Sequence, residues 1–329
     1  MHASRRELLF GAAALPLLAG LPSMALGQAH FPNKPVKLIL PYAPGGGPDL
    51  LTRAMAERMS EHLGQRVVVD NRVGAGGMLA GQVAANADPD GYTIVLGSST
   101  HITQKLIQPN LQFDPLTSFV HITRLSISPA LLVVADASPY RSAKDLVAAA
   151  KAQPGKFNYA SGGIGSAAHL SGAAFATNTG IDVVHVPYKG SVEIVPSIMS
   201  GTTEYGFPIA STAIPQINAG KVRALATTAG KRQPQLPDVP TLKEIFGSDD
   251  LVLEAWSGLW APAKTPAEIV RILHMAASRA AQENDIKALN DRMGAETAVT
   301  ATPAEFTAFM RSETEKYARI VASAQIKAE

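Results

Sequence analysis

The chain has 329 residues, more than one compact core normally serves, so we expect two lobes. Hydrophobic residues make up 46% and charged residues 17%, which is typical of a folded α/β protein and excludes a disordered chain. The net charge of +2, without a segment dense in Lys and Arg, indicates no nucleic-acid-binding surface, and the lack of cysteine excludes thiolate metal sites, thiol nucleophiles and disulfides.

Residues 1–27 are predicted to be an export signal. Arg5 and Arg6 precede an apolar stretch over 8–21, which is shorter than the ~20 residues that a membrane-spanning helix needs. Small residues ending at Gly27 form an A-x-G cleavage site. The paired arginines are also compatible with a twin-arginine signal, so both export routes stay open, as does an uncleaved anchor. With cleavage, the mature protein is expected in the periplasm.

Short β-branched or aliphatic runs then alternate with stretches of helical periodicity. Leu51, Met55, Met59 and Leu63 recur at every fourth position and form a helical stripe that ends at Gly64. Near-continuous apolar runs are typical of parallel strands covered on both faces, so the alternation predicts an α/β fold with open, doubly wound sheets. The predicted strands are Val36–Leu40, Arg66–Asp70, Thr93–Gly97, Ala130–Val134, Val183–Val186 and Arg223–Thr227.

Two extended apolar segments, 125–135 and 251–262, indicate that the chain crosses between lobes twice. Two strand-like crossings form a hinge. Trp256 and Trp260 lie in the second segment, and we expect them to be buried at the junction rather than to contact a ligand. The predicted division is domain 1 over 28–128 plus 256–329, and domain 2 over 129–255.

Three adjacent glycines follow the first predicted strand. Pro48 suits the first helical position, so a helix is expected to begin where Gly45, Gly46 and Gly47 end. Its free N–H groups and positive dipole end would then face the usual ligand crevice at the carboxyl end of the strand. An anion site and a plain strand-to-helix turn both fit this pattern. Asp49 would repel an anion unless its oxygens accept hydrogen bonds from the loop or a structural partner.

Similar loops recur at other strand ends. One helix N-terminus contributes roughly 0.3–1 kcal/mol to anion binding, whereas a micromolar receptor needs about 8 kcal/mol. Donors from both lobes must therefore converge on one ligand. For His169 a packing role, and for Lys189 a solvated turn, stay open as alternatives. The small donors are Ser98, Ser99 and Thr100 in GSSTH, Ser161, Gly163 and Ser166 in NYASGGIGSAAHL, and Tyr188 and Lys189 in VPYKG.

Taken in order, several strings resemble the periplasmic solute receptors of tripartite tricarboxylate transporters, the Bug-type family. They cover nearly the whole mature chain, and their combination is specific although each string alone is weak. They are FPNKPVKLILPYAPGGGPDLLTRAMAERM, VVVDNRVGAGGMLAGQVAANADPDGYTIVLGS, NYASGGIGSAAHLSG, VHVPYKG, GKVRALATT, LPDVPTLKE and GLWAPAKTPAEIV.

This resemblance implies a two-lobed periplasmic-binding-protein architecture, of the Venus-flytrap and type II-like kind, that closes on a small carboxylate. The first-lobe loops would hold the proximal carboxylate, partly through backbone groups and ordered water, and the second-lobe loops would meet the distal part. The implied ligand-binding residues are Tyr42, Ala43, Gly45, Gly46, Gly47, Asp49, Ser98, Ser99, Thr100, Ser161, Gly163, Ser166, His169, Tyr188, Lys189 and the stretch from Phe207 to Ser211.

The sequence departs from the family pattern around the distal part of this site. Ala173 and Ala174 stand where members often carry a glutamate, Pro196 should kink or delay its helix, and Phe207 and Ile209 replace polar residues. We therefore expect an apolar distal pocket without a carboxylate to pair an α-ammonium group. A simple amino acid fits this pocket poorly, whereas an aromatic or medium-chain mono- or dicarboxylate fits better.

The function expected is a solute-binding receptor without catalysis, cofactor or metal, which delivers a carboxylate to membrane transporter subunits. An alternative is a binding protein that reports to a membrane sensor kinase, since both readouts would use the same pocket. A remote alternative is an exported serine hydrolase that uses Ser166 or Ser161 with His169. It lacks a G-x-S-x-G elbow and an acid placed to orient the imidazole. The receptor is expected to be a monomer.

Overall fold

The computed structural model describes residues 31–74 and 77–327, and the predicted export signal lies outside them. One sheet has six strands in the order β11-β4-β10-β3-β1-β2. The first three strands of the chain are parallel, and the predicted strands 36–40, 66–70 and 93–97 are confirmed to within one residue at each end. The strands are β1 (Val36–Leu40), β2 (Val67–Asn71), β3 (Thr93–Ser98), β4 (Phe119–Pro129), β10 (Glu254–Pro262) and β11 (Glu296–Thr297).

A second sheet of five strands is built from the middle of the chain, in the order β7-β6-β8-β5-β9. The predicted strands 130–134, 183–186 and 223–227 belong to it. The two sheets together form the two lobes of an α/β fold. The strands are β5 (Leu131–Ala135), β6 (Phe157–Ser161), β7 (Val183–Pro187), β8 (Tyr205–Gly206) and β9 (Val222–Thr227).

Both sheets are mixed, whereas the apolar runs suggested parallel strands. β10 runs antiparallel to β3 and β4, and β5 runs antiparallel to β8 and β9. The double crossing accounts for the pairing of β4 with β10. One strand leaves the lobe and the other returns to it across the same boundary, so as neighbours they run antiparallel.

Helices cover both faces of the first sheet, as a doubly wound fold requires. Leu38 packs against the layer that contains α1 and α9, whereas Ile39 points to the opposite layer with α2, α3 and α11. The helices are α1 (Gly47–Leu63), α2 (Met78–Ala85), α3 (Ser99–Ile107), α4 (Ala143–Ala152), α5 (Ala167–Thr179), α6 (Ile194–Met199), α7 (Ala210–Asn218), α8 (Leu242–Phe246), α9 (Ala267–Gln282), α10 (Asn284–Arg292) and α11 (Pro303–Ser323).

Two helical details bear on the expectations. The expected delay at Pro196 is found, since a 3₁₀ turn over Ser191–Glu193 precedes α6. Over 31–74 and 77–327, the helices all fall short of the length and apolar character that a membrane crossing requires.

The two crossings lie side by side and are tied together by one threonine. β4 passes into β5 through Ala130 alone, and the chain returns into β10 just after Leu253. Thr228 Oγ1 accepts a hydrogen bond from the Ala130 N–H at 2.9 Å and donates one to the Leu253 carbonyl at 2.5 Å. The Thr228 backbone N–H also donates to the Ala130 carbonyl at 2.9 Å, and the Thr228 carbonyl accepts from the Leu253 N–H at 3.1 Å. The predicted pair of hinge crossings is confirmed.

Candidate functional site

The turn from β1 into α1 is shaped by its three glycines in different ways. Gly45 has φ +83°, a left-handed conformation that favours glycine. Gly46 is the extended residue before the helix, and no side chain caps this helix start. A Cβ atom at Gly46 would make only ordinary contacts, 3.8 Å from the Ala43 carbonyl oxygen and 3.9 Å from Pro48 Cδ, whereas one at Gly47 would lie 2.7 Å from Met293 Cε and 3.7 Å from Ser211 Oγ. Close approach to the backbone is therefore a property of Gly47, while Ala43 and Gly45 are exposed.

Asp49, which the family resemblance placed in contact with ligand, instead braces this loop. Its Oδ2 accepts hydrogen bonds from the Gly45 N–H at 2.9 Å and from Arg53 Nε at 3.0 Å, and its Oδ1 accepts from Asn71 Nδ2 at 2.9 Å. Burial alone would raise the pKa of Asp49, but the bonds from Arg53, Asn71 and Gly45 lower it to about 2. Both oxygens accept hydrogen bonds from the loop and its neighbours, which is the structural arrangement that the sequence required of an acidic residue beside an anion site.

The turn from β3 into α3 lies beside the glycine turn. Ser98 and Ser99 are buried, and Thr100 is half-buried on the first turn of the helix. The Ser98 N–H donates to His101 Nδ1 at 3.2 Å, which fixes the start of α3. Burial raises the pKa of Tyr42, and a hydrogen bond with the Ser98 side chain lowers it by a smaller amount. The first-lobe loops of the predicted site are thus neighbours.

In the second lobe, the predicted loops are also joined to each other. The Tyr188 N–H donates to the Ser161 carbonyl at 2.9 Å, and the Gly163 N–H donates to Ser161 Oγ at 3.1 Å. The same Oγ lies 2.6 Å from Nε2 of His185, a contact that the sequence did not predict. Ser161 has no exposed surface, so its hydroxyl holds the loop together and cannot meet a substrate.

His169 and His185 stack face to face, with ring centroids 3.8 Å apart and planes 8° from parallel. His169 Nδ1 accepts from the Gly165 N–H, and Ser166 Oγ caps α5 by accepting from the His169 N–H. Burial lowers the pKa of both rings, to about 3 for His169 and about 4 for His185, and the neighbouring ring lowers that of His169 further. Both imidazoles are therefore neutral near pH 7, and packing accounts for His169.

The prediction for Phe207 needs correction. Its ring is fully buried in the second-lobe core, in edge contact with Phe175 at 5.6 Å and Tyr205 at 6.1 Å. It cannot reach a ligand because the interior apolar surface of the lobe surrounds it. The residues after it do reach the cleft: Ile209 precedes α7, no side chain caps that helix, and Ser211 stands in its first turn.

A cavity of about 100 Å³, here called the hinge cavity, lies where α1, α7 and the crossing strands meet. Its wall takes residues from both lobes. The first turns of α1 and α7, neither of which is capped by a side chain, both contribute to this wall, through Gly47 and Ser211. The lining residues are Tyr42, Gly47, Pro48, Leu51, Thr52, Met55, Leu96, Leu125, Ser126, Ser128, Ile209, Ser211, Ala255, Trp256, Ser257, Ala281, Asn290, Met293 and Ala295.

A second and more open depression, the distal groove, is lined by Gly163, Ile164, Pro187, Tyr188, Lys189 and Glu193. It shares no lining residue with the hinge cavity. The lobes do touch nearby, since Gln104 Nε2 on α3 donates to the Ile164 carbonyl at 2.8 Å. Tyr42, Gly47 and Pro48 of the first predicted loop line the hinge cavity, whereas Gly163, Tyr188 and Lys189 of the second-lobe loops line the distal groove.

Sequence reasoning missed the floor of this cavity. Ser126 and Ser128 on β4, Ser257 on β10, and Asn290 and Met293 at α10 all contribute to the wall. The hinge crossings were the signal that could have found the serines, because strands that join two lobes must lie beneath the cleft. Burial was predicted for both tryptophans: Trp260 is fully buried, and Trp256 is buried but also lines the cavity.

Comparison with known proteins gives a consistent result. A family model described as "Tripartite tricarboxylate transporter family receptor" matches residues 51–326. BugT of Bordetella pertussis is 31% identical over 293 residues, covering 88% of this chain and 89% of that protein.

Solved structures are similar over the same extent. A protein of R. palustris solved with adipate has a TM-score of 0.83 and 32% identity, covering 90% of this chain and 99% of that one. MatC from Rhodopseudomonas palustris with bound malate has a TM-score of 0.80 and 29% identity, covering 88% and 100%.

Proposed function

Because the chain belongs to the receptor family of tripartite tricarboxylate transporters, we propose that it is a periplasmic receptor for a small carboxylate. It captures this ligand between its lobes and delivers it to a tripartite tricarboxylate-type transporter. The observation that carries the proposal is the meeting of two uncapped helix starts, one from each lobe, at Gly47 and Ser211.

Electrostatics favours an anion at this point. Each helix start offers free N–H groups and the positive end of a dipole, worth roughly 0.3–1 kcal/mol and up to ~2 kcal/mol when partly buried. The two helices belong to different lobes, so an anion between them gains both contributions only when the lobes are close together. The ligand therefore favours the closed form, which a receptor requires.

The ligands of the related structures support the same chemistry. The proteins solved with adipate and with malate both bind carboxylic acids, and both resemble this chain over nearly its full described length. In our proposal, Tyr42, Gly46, Gly47 and Ser211 contact the carboxylate directly or through water. Asp49, His169 and Ser161 hold the loops in place.

The proposal has three further parts. Residues 1–27 are an export signal that is cleaved, so the mature receptor works in the periplasm. In this proposal it works there as a monomer. Domain 1 spans 28–128 plus 256–329, and domain 2 spans 129–255. The receptor carries out no reaction, since Ser161 is fully buried and Ser166 caps a helix.

Binding of matched pairs of acids and their methyl esters to the purified mature protein tests the proposal. The ester keeps the body of the ligand and removes its charge. We expect acids to raise the melting temperature and esters to leave it unchanged, since a ligand at 100 times its Kd stabilises by about 2.7 kcal/mol. A broad panel of acids that leaves the melting temperature unchanged, or esters that match their acids, would overturn the proposal.

Delivery to a transporter needs a separate measurement in cells. Deletion of the membrane subunits should abolish uptake of the ligand while its binding to the purified receptor persists. Uptake that persists, together with lost induction of genes by the ligand, would assign the receptor to a sensor instead.

A further inference from the structure

The wall of the hinge cavity carries no charge. Its nineteen residues in the described chain include no Asp, Glu, Lys, Arg or His. Apolar side chains form most of the surface, with Leu51, Met55, Leu125 and Trp256 among them. A second carboxylate, placed in this wall away from the two helix starts, would lose its hydration without gaining a cation, which is strongly unfavourable.

The hydroxyl groups of the wall offer little compensation. Ser126 Oγ and Ser257 Oγ lie 2.9 Å apart and bond to each other, and Thr52 Oγ1 donates to the Pro48 carbonyl at 2.6 Å. Among the described residues, two buried oxygens of the wall have no hydrogen-bond partner, Ser128 Oγ and Asn290 Oδ1. The amide oxygen accepts hydrogen bonds and so suits a hydroxyl group on a ligand, not a second carboxylate.

We propose that the hinge cavity takes the uncharged end of the ligand, so that the receptor selects a short-chain monocarboxylate over the dicarboxylate of the same length. This inference rests on the proposed function. The single carboxylate lies at the starts of α1 and α7, and a hydrocarbon body, with room for one hydroxyl group beside Asn290, extends into the cavity.

The size of the cavity sets the length of that body. An apolar cavity of about 150 Å³ holds a benzene molecule, which has six carbons. The hinge cavity, at about 100 Å³, therefore has room for a hydrocarbon body of about three to five carbons. Acids from butanoate to hexanoate are therefore the expected class, and affinity should rise about fourfold per methylene until the cavity is full.

The distal groove does not supply the missing cation for a dicarboxylate. Lys189 is exposed there, and Glu193 in the same groove carries the opposite charge. Because the groove and the hinge cavity share no lining residue, a second carboxylate anchored at Lys189 would leave the cavity unfilled. The observations therefore favour a ligand whose apolar end fills the hinge cavity over one whose second carboxylate reaches Lys189.

Calorimetry on the mature receptor, stripped of bound ligand, tests this with acids matched in length: butanoate against succinate, pentanoate against glutarate, and hexanoate against adipate. We expect each monocarboxylate to bind roughly 100-fold more tightly than its partner, given the cost of burying an unpaired charge. Dicarboxylates that bind as tightly as the monocarboxylates would overturn this inference and leave the proposed function standing. If neither group binds and longer or aromatic acids do, the inference also fails, whereas failure of all acids removes the proposed function itself.

A substitution that places a positive charge in the cavity wall gives an independent test. Met293 is half-buried in the wall and has an unbranched side chain, so Met293→Lys supplies a cation at little steric cost. The matched control is Met275→Lys, the same change at an exposed methionine of α9 outside the cavity. We expect Met293→Lys to raise adipate affinity relative to hexanoate at least tenfold and Met275→Lys to leave the ratio unchanged. An unchanged ratio in a folded Met293→Lys protein would contradict the proposal.

Tryptophan fluorescence tests whether the hydrocarbon body of the ligand binds in the hinge cavity. The chain has two tryptophans, and Trp256 lines the cavity whereas Trp260 is fully buried beside it. Hexanoate should shift the emission of the wild-type protein and of Trp260→Phe, but not that of Trp256→Phe. A shift that survives in Trp256→Phe would place the ligand elsewhere and refute the assignment.

Discussion

The Oδ2 atom of Asp49 accepts a hydrogen bond from the backbone N–H of Gly45 at 2.9 Å, so the first turn of α1 holds its own preceding loop. Arg53, one turn further along the helix, donates to the same oxygen at 3.0 Å. The shape of the glycine turn is thus set by a carboxylate, and the carboxylate is kept ionised by its donors. This arrangement explains how an acidic residue can stand next to the proposed site for an anion.

Asp49→Ala should lower the free energy of unfolding by about 2 kcal/mol, as expected for a carboxyl group whose pKa falls from ~3.9 to about 2 on folding. The depressed pKa means that this stability is fully present above about pH 4 and is lost as the pH falls toward 2. Urea unfolding at pH 7 and at pH 3 measures both effects. Asp88→Ala, at an exposed position of the same lobe, is the control. Equal losses in the two variants would show that Asp49 is not a brace.

Gly47→Ala should weaken ligand binding about tenfold with little change in the melting temperature. The new methyl group would stand 2.7 Å from Met293 Cε, the flexible end of a side chain, so the methionine moves into the hinge cavity rather than the helix being displaced. Gly230→Ala is the matched control, since this glycine is exposed outside the hinge cavity and its Cβ would make only an ordinary contact, 3.6 Å from Val252 Cγ1. Calorimetry with the tightest-binding acid compares the two. Comparable affinity losses would contradict the close approach assigned to Gly47.

Thr228→Val should destabilise the protein by about 1–3 kcal/mol, because it leaves the Ala130 N–H and the Leu253 carbonyl without their side-chain partner at a buried position. The two side chains have nearly the same shape, so packing changes little. Chemical denaturation measures the loss, and Thr117→Val at an exposed site serves for comparison. A hinge threonine that could be replaced without cost would mean that the crossings are held together by other contacts.

The paired histidines of the second lobe predict acid sensitivity at mildly low pH. Both remain neutral in the folded protein, whereas in the unfolded chain they take up protons below about pH 6.5. Stability should therefore fall as the pH drops from 6.5 toward 4, by up to ~1.4 kcal/mol per pH unit for each ring. His185→Gln can keep a hydrogen bond to Ser161 and should make this dependence shallower. A slope identical to that of the wild type would exclude His185 as a source.

Local patterns in the sequence were enough to predict the elements but not their pairing. Val36–Leu40 reads as a strand, and Gly64 ends α1, because hydrophobic period and backbone freedom are local properties. The contact between Ser161 and His185 depends instead on the register of β6 with β7, in which Tyr159 stands beside His185. That register follows from packing between elements, which one sequence does not display.

The candidate site was predictable to a similar degree. The glycine turn was expected from Gly45, Gly46 and Gly47. Which of the three is closely approached depends on Met293, a residue distant in sequence that contacts Gly47. Phe207 was assigned to the cleft by its position in a family motif, and its burial depends on rings contributed by other elements. Side-chain direction near the end of a short strand is fixed by tertiary packing.

In the closing motion that we propose, the crossing strands beneath the hinge cavity are the pivot on which the lobes turn, and only Ala130 separates β4 from β5 there. A ligand bound there acts close to the axis of rotation, whereas the outer parts of the lobes lie far from it. A difference of one methyl group at the pivot is magnified into a wider separation at the outer rims. The receptor can thus display the fit of its ligand as a distance between two surfaces, without a relay of intervening side chains.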